Sequence, residues 1–203
     1  MVDNVLQGYA TASEELISRF EAISSAQLYQ PVLDLLPTPP SRIADIGAGT
    51  GRDAAWLAST GHAVIAVEPV SKLRQAGMAL HDSANIEWVD DRLPQLGELR
   101  LRGRFDSVLL SAVWQHLDDH QRRCAMRSLA ALTRPGGMVI MSLRHGCGAS
   151  NRQVHDVSPD DTIDQASHAG FELIRKCRAE SLQAINRAAG VRWTWLAFRL
   201  VTS

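Results

Sequence analysis

Three glycines separated by single residues give the strongest chemical signal in the sequence. The segment reads Ile43-Ala-Asp-Ile-Gly-Ala-Gly-Thr-Gly-Arg-Asp53. We predict that an apolar strand runs into Gly47, Gly49 and Gly51 and that a helix begins directly after them. Glycine lets the backbone turn tightly and approach a ligand closely, and a helix start carries N–H groups that no helical carbonyl accepts. This combination indicates a small-ligand site.

The residue three positions after Gly49 argues against a dinucleotide. A dinucleotide-binding loop carries a glycine there, whereas this chain has Arg52. A long side chain at that point would crowd a pyrophosphate at the helix start. Asp45, two residues before Gly47, instead suits a ligand that bears an ammonium group.

On these residues the sequence resembles the class I S-adenosylmethionine-dependent methyltransferases, in particular those that act on small molecules. Their first motif, D-x-G-x-G-x-G after a strand, is matched by Asp45, Gly47, Gly49 and Gly51. The resemblance implies that this loop surrounds the methionine part of S-adenosylmethionine. It also implies that Glu68, at the end of the second strand, accepts hydrogen bonds from both ribose hydroxyls.

Three further segments match the family in the same order. Residues 86–94 resemble the segment whose acid contacts the adenine amino group; Asp90 or Asp91 could serve, and we slightly favour Asp90. Residues 105–117 resemble the fourth strand with its loop, and residues 132–137 resemble an L-x-P-G-G turn. The resemblance therefore covers residues 40–145 and implies the following cofactor-binding residues: Asp45, Gly47, Ala48, Gly49, Gly51, Arg52, Asp53, Glu68, Pro69, Asp90, Asp91 and Ser111.

The methyl acceptor is expected over the loops that follow the fourth and fifth strands, because ligands of open α/β sheets bind at the carboxyl ends of the strands. The substrate-binding candidates are Tyr9, Arg19, Trp114, Gln115 and Arg144. Imidazole titrates near neutrality, so His145 is our first candidate for a general base and His116 our second; a structural role is the alternative for each. The pair Arg144-His145 suggests an anionic acceptor.

Strands and helices alternate along the chain and predict the scaffold. We expect a helix over 11–28, started by a capping box of Thr11 and Glu14, and further helices near 51–60, 71–80, 118–133 and 159–169. Strands are expected near 42–47, 62–67, 86–89, 105–111, 137–143, 171–177 and 193–201. The prediction is one α/β domain: a helical lid over 1–40 and a core over 41–203, with a doubly wound, mostly parallel, seven-stranded Rossmann-like sheet and helices on both faces.

Composition limits the partners that we expect. The chain has 203 residues, 45% of them hydrophobic, and a net charge of −1, so no large field favours nucleic acid or a membrane surface. Three separated cysteines and the lack of a leader-like segment suit the cytoplasm, and no spacing suits a metal site. We expect a monomer or homodimer that transfers a methyl group to O or N of a small molecule. The alternatives are a protein or RNA methyltransferase and a non-catalytic S-adenosylmethionine-binding module.

Overall fold

Seven strands form one sheet in the computed structural model, which describes residues 2–10, 14–146 and 153–201. The strands are β1 Arg42–Ile46, β2 Ala63–Val67, β3 Ile86–Val89, β4 Phe105–Leu110, β5 Thr133–His145, β6 Phe171–Glu180 and β7 Arg192–Leu200. Their order is β3-β2-β1-β4-β5-β7-β6, and β7 runs antiparallel to both of its neighbours. The predicted doubly wound, mostly parallel sheet is confirmed, and every predicted strand is present.

Helices cover both faces of this sheet. They are α1 Val2–Ala10, α2 Glu14–Glu21, α3 Ser25–Leu28, α4 Arg52–Ser59, α5 Ser71–Leu80, α6 Gly97–Arg100, α7 Asp119–Leu132, α8 Pro159–His168 and α9 Ala184–Ala188, with 3₁₀ turns at Gln30–Leu35 and Trp114–His116. One apolar core joins the sheet to α7 and α8, and a second joins it to α3 and α4. Because side chains alternate between the two faces of the sheet along each strand, successive residues pack into two separate cores.

Two predicted helix starts have the expected caps. Asp118 accepts from the Gln121 N–H at 2.8 Å, while the Gln121 side chain accepts from the Asp118 N–H at 3.0 Å, which completes a capping box at α7. Ser158 caps α8 ahead of Pro159. The cap expected at Thr11 lies outside the described residues.

The helix predicted over 11–28 is wrong in its middle. Its described part divides into α2 and α3, because the chain leaves the helical conformation at 22–24 and Ser24 starts a new helix by accepting from the Gln27 N–H at 3.4 Å. Helix α1 was not predicted. Apolar side chains of α1 and α2 pack on Val70 and Leu73 near the start of α5, so the N-terminal helices form the predicted lid. No described helix has the length and apolarity that a membrane span needs.

Candidate functional site

A cavity of about 740 Å³ lies at the carboxyl ends of the central strands, beneath α1 and α2. We call its lining by residues 45–50, 52–53, 68–70, 91–93 and 111–113 the cofactor half. The rest of the lining, the acceptor half, includes residues from the N-terminal helices, the Gln30–Leu35 turn and the 114–117 loop, and from β5, β7 and the segment 179–189. One continuous space therefore joins the glycine loop to the region where the methyl acceptor was expected.

The glycine loop packs so tightly against neighbouring side chains that no Cβ fits at two of its positions. Gly47 has φ +74°, and a Cβ there would lie 2.5 Å from Val113 Cγ2. Gly51 has φ +77°, and a Cβ there would lie 2.5 Å from the ring of Trp88. Both the left-handed backbone and the close neighbours require glycine. The loop thus exposes backbone rather than side chains to the cavity.

Glu68 lies at the end of β2 and faces this loop. Its carboxylate accepts from the Gly49 N–H and from the Val70 N–H, each at 2.8 Å. The side chain is buried, and burial raises the pKa of Glu68 to about 7, although the two N–H donors act in the opposite direction. A buried carboxylate held by backbone donors at a cavity wall is suited to accept hydrogen bonds from hydroxyl groups.

Asp45 lies at the floor of the same half, within β1. Burial raises the pKa of Asp45 well above its usual range, and the nearby carboxylates of Asp53 and Glu68 add to the rise. One of its oxygens is buried without a hydrogen-bond partner among the described residues. A buried oxygen that lacks a partner costs free energy, so a donor from a bound ligand, such as an ammonium group, would stabilise Asp45.

The two neighbouring acids after β3 have different surroundings. Asp91 lines the cavity, and its carboxylate accepts from the Arg92 and Leu99 N–H groups at 2.7 and 2.8 Å. The Asp90 side chain is 64% exposed and pairs with Arg74 at 2.8 Å, outside the cavity lining. This placement favours Asp91, not Asp90, for contact with a ligand base.

The side chains of Arg52 and Asp53 connect the cofactor half to the lid. Arg52 pairs with Asp53 at 2.8 Å and donates to the Phe20 carbonyl at 2.9 Å. Asp53 also accepts from the Ser25 hydroxyl at 2.7 Å. Both residues line the cavity, as do Ala48, Pro69 and Ser111, but the two charged side chains are engaged with α2, α3 and each other.

The structure does not bring Trp114, a predicted substrate-binding residue, to the cavity. Its side chain is completely buried in the core beside α7 and does not line the cavity. The sequence placed it in the correct loop, but the 3₁₀ turn there directs Trp114 inward and Gln115 and His116 toward the cavity.

His145, the first candidate for a catalytic base, lies outside the cavity lining. Side chains alternate along β5, and Ser142 and Arg144 line the cavity whereas His145 does not. The His145 Nε2 lies 2.8 Å from the Thr194 hydroxyl, and burial together with Arg178 lowers the pKa of His145. Its imidazole therefore belongs to a structural contact between β5 and β7.

The other candidates for the acceptor half do meet there. His116 Nε2 lies 3.2 Å from the Tyr9 hydroxyl and His116 Nδ1 lies 2.8 Å from the Gln153 carbonyl oxygen. Gln115, Arg19 and Arg144 also line the cavity. A carbonyl oxygen accepts but does not donate, so Nδ1 carries the hydrogen of this contact; in the neutral imidazole Nε2 then has a lone pair that can accept from Tyr9.

Sequence reasoning missed several residues that line the acceptor half. Leu182, Ile185 and Asn186 come from α9 and its approach, a five-residue helix with no clear periodicity in the sequence. Trp193 was attributed to core packing with Trp195, yet it is only half-buried and lines the cavity. Its alternation with Trp195 was the available signal, but that pattern does not distinguish a core from a cavity wall.

The residues present suit S-adenosylmethionine in both charge and shape. Asp45 offers an unpartnered buried oxygen for an ammonium, Glu68 offers a carboxylate for sugar hydroxyls, and the glycine loop provides a surface that a Cβ would obstruct. These features lie along one wall of the same cavity.

Comparison with known proteins gives matches to methyltransferases. A family model described as "Methyltransferase domain" matches residues 43–137. An uncharacterised methyltransferase of Mycobacterium tuberculosis is 31% identical over 140 residues, which cover 61% of this chain and 69% of that protein. Human glycine N-methyltransferase is 26% identical over 151 residues, or 60% of this chain. The chain spans only 50% of the length of this human relative.

Solved structures also resemble this chain, and one example covers nearly all of it. It is Burkholderia thailandensis 1,6-didemethyltoxoflavin-N1-methyltransferase with bound 1,6-didemethyltoxoflavin and S-adenosylhomocysteine. The TM-score is 0.76 at 18% identity, covering 98% of this chain and 88% of that one. At this identity the likeness establishes the shared fold.

Proposed function

The chain belongs to the class I S-adenosylmethionine-dependent methyltransferases, and on that premise we propose that it transfers a methyl group to an oxygen or nitrogen of a small-molecule acceptor. The observation that carries the proposal is the single covered cavity in which the cofactor half continues into the acceptor half. Two of the relatives are named for small acceptors, glycine and 1,6-didemethyltoxoflavin, which supports the same class.

The size and cover of the cavity favour a small acceptor over a protein or RNA. Its volume of about 740 Å³ lies in the upper part of the range of about 300–1,000 Å³ typical of small-ligand sites. Such a volume suits a cofactor beside a compact second ligand. Helices α1 and α2 lie over the cavity, so a macromolecular target would first have to displace them.

Each residue of the cofactor half has a proposed task. Asp45 would accept from the ammonium of S-adenosylmethionine, Glu68 from the ribose hydroxyls, and Asp91 from the adenine amino group. When bound, the cofactor supplies a methyl group on a sulfonium sulfur, a leaving group that keeps the electron pair of the broken bond. The protein then has mainly to align the acceptor, and alignment alone lowers barriers by up to about 7–11 kcal/mol in the best intramolecular cases.

We assign His116 as the general base and Tyr9 as its link to the acceptor. The hydrogen bond from His116 Nδ1 to the Gln153 carbonyl keeps the Nε2 lone pair directed at the Tyr9 hydroxyl. A proton leaving the acceptor would pass to the Tyr9 oxygen as the Tyr9 proton passes to Nε2. The Gln153 carbonyl would then stabilise the resulting imidazolium.

Transfer of a labelled methyl group tests this function. The protein is incubated with methyl-labelled S-adenosylmethionine and, separately, with small-molecule, protein and RNA fractions of a bacterial extract. We expect label in the small-molecule fraction with the parent and with Glu172→Gln, an exposed control on β6 that pairs with Arg199. Glu68→Gln should lose most of it. Label confined to protein or RNA would contradict the small-molecule assignment, and cofactor binding without any transfer would indicate a non-catalytic module.

A further inference from the structure

The floor of the acceptor half is built by one row of residues across three strands. In the strand register Arg144 of β5 lies opposite Trp193 of β7, and Trp193 lies opposite Ala179 of β6. Directly opposed residues in an antiparallel pair point to the same face of the sheet. All three line the cavity, so an indole lies there between a guanidinium and a methyl group.

The neighbouring row supports this floor from behind. Ser142 and Trp195 are opposed in the same way, and Trp195 is only 2% exposed. Its ring packs on that of Tyr29, with centroids 5.1 Å apart. Both indoles line the cavity, but Trp195 is held in the core, whereas Trp193, one row nearer the end of the sheet, is only half-buried.

The other walls of the acceptor half carry apolar side chains among polar ones such as Gln30 and Asn186. Leu28 and Pro31 line it from α3 and the 3₁₀ turn that follows. Leu182 and Ile185 line it from the α9 segment and are 43% and 66% exposed in the absence of a ligand. Apolar side chains exposed together at the rim of a cavity are characteristic of a surface that a ligand covers.

The charges in this half favour an anion. Arg19 and Arg144 both line it, from the lid and from β5. Among the described residues, Glu180 is the acidic residue of this half of the lining. A cationic ligand on the Trp193 ring would meet two arginines, whereas an anionic group next to that ring would meet the guanidinium of Arg144, which donates from one nitrogen to the Gly146 carbonyl at 2.8 Å and has five N–H donors in all.

We infer that the methyl acceptor is a planar aromatic or heteroaromatic ring that carries a carboxylate. The ring lies against Trp193, the carboxylate pairs with Arg144, and the apolar side chains of α9 cover the outer edge of the ring. The atom to be methylated then faces the Tyr9–His116 pair. This inference rests on the proposed function, since it names the acceptor class of that site.

Binding of matched probes tests the inference without turnover. Each is titrated calorimetrically into protein saturated with S-adenosylhomocysteine: 3,4-dihydroxybenzoate, catechol without the carboxylate, cyclohexanecarboxylate without the flat ring, and benzylamine with the opposite charge. We expect 3,4-dihydroxybenzoate to bind at least tenfold more tightly than the other three. Equal affinities, or tighter binding of benzylamine or cyclohexanecarboxylate, would overturn the inference.

Variants then locate the bound probe. Trp193→Leu and Arg144→Gln should each weaken 3,4-dihydroxybenzoate at least tenfold, while Trp193→Phe should retain most of the affinity because it keeps a flat ring. Arg178→Gln is the matched control, because Arg178 lies in the register position opposite Thr194 rather than in the row of Trp193. Parent-like binding by both Trp193→Leu and Arg144→Gln would refute the proposed contacts.

Titration with S-adenosylhomocysteine distinguishes a failure of the proposed function from a failure of the inferred acceptor class. If the parent does not bind S-adenosylhomocysteine, the proposed function itself fails. If it binds S-adenosylhomocysteine but does not prefer the aromatic carboxylate, only the acceptor class is wrong. Each variant is therefore first titrated with S-adenosylhomocysteine, and we expect its affinity to stay within twofold of the parent.

Discussion

The two halves of the cavity are built in different ways from different parts of the chain. The cofactor half comes from the ends of neighbouring parallel strands and the turns directly after them, and its key contacts are backbone groups held by Glu68 and Asp91. The acceptor half combines helices from the N-terminus with antiparallel strands and a short helix near the C-terminus. The cofactor half therefore depends on local geometry, whereas the acceptor half depends on tertiary assembly.

This difference predicts different sensitivities. In the cofactor half, a change of one methyl group in the loop should abolish binding. In the acceptor half, substitutions should alter turnover or selectivity and leave cofactor affinity unchanged. The following experiments test this separation.

The largest effect is expected from Gly51→Ala. The added methyl group would collide with Trp88 in a left-handed backbone, and relief of that collision would shift the loop whose Gly49 N–H donates to Glu68, so we expect S-adenosylhomocysteine affinity to fall roughly 300-fold, about 3.4 kcal/mol. Gly136→Ala is the matched control, because Gly136 also has φ +77° but has open space around its Cβ position. Calorimetry should show lost binding for Gly51→Ala only; equal affinities would mean that the loop shape does not matter.

His116→Gln should lower turnover by about 100-fold at pH 7.5, the smaller end of the range for general bases. Tyr9→Phe should lower turnover by a similar factor, because the imidazole then has no hydroxyl through which it takes the proton of the acceptor. The readout is kcat against pH with the acceptor identified by the labelling experiment. Loss of the acidic limb, in which kcat rises with pH, in His116→Gln with unchanged S-adenosylhomocysteine affinity supports the assignment; an unaltered pH profile would refute it.

Glu68→Gln should weaken S-adenosylhomocysteine by roughly 30-fold, about 2 kcal/mol, since charge-assisted hydrogen bonds become neutral ones. The raised pKa of Glu68, about 7, adds a pH dependence. Affinity of the parent should increase as the pH rises through 7, because the carboxylate is the stronger acceptor, and this increase should be absent from Glu68→Gln.

The same group affects the stability of the free protein with the opposite sign. Because the pKa of Glu68 is raised in the folded state, the folded protein binds more protons than the unfolded chain between pH 4.5 and 7. The contribution of this group to the free energy of unfolding is present below pH 4.5 and falls as the pH rises to 7. Denaturant unfolding across this range should show a steeper fall for the parent than for Glu68→Gln.

Neighbouring acids allow a finer test of the cofactor half. Asp91→Asn should weaken S-adenosylhomocysteine about tenfold, or 1.4 kcal/mol, through the loss of one charged acceptor. Asp90→Asn should change affinity less than twofold, because that side chain faces Arg74 outside the cavity. The reverse order in calorimetry would restore Asp90 as the adenine contact.

The smallest effect is expected from His145→Asn, which should change kcat less than about twofold because the imidazole lies outside the cavity. A loss comparable with that of His116→Gln would contradict the separation of these two histidines by the alternation along β5.

The cofactor half could be read from sequence because its function depends on residues close together along the chain. Gly47, Gly51 and Glu68 have the predicted positions, since glycine requirements and strand ends leave local signals. Which of Asp90 and Asp91 lines the cavity could not be predicted from the sequence. Neighbouring residues of an extended chain direct their side chains to opposite faces, so a shift of one residue exchanges their surroundings.

The acceptor half could be predicted only in part. Tyr9, Gln115 and Arg144 line it as expected. Trp114 instead packs in the core beside α7, and His145 contacts Thr194 of β7. Those orientations depend on a 3₁₀ turn and on strand register, and neither is encoded by residue type alone. Ile185 was not anticipated because a five-residue helix has too few turns to produce a periodic pattern.

Calorimetric titration of the parent with S-adenosylhomocysteine, alongside NAD as the competing ligand class, tests the central claim most directly. We expect the parent to bind one S-adenosylhomocysteine per chain and to give no heat of binding with NAD. We expect Gly51→Ala to lose the binding of S-adenosylhomocysteine. Absence of S-adenosylhomocysteine binding, or tighter binding of NAD, would contradict the central claim.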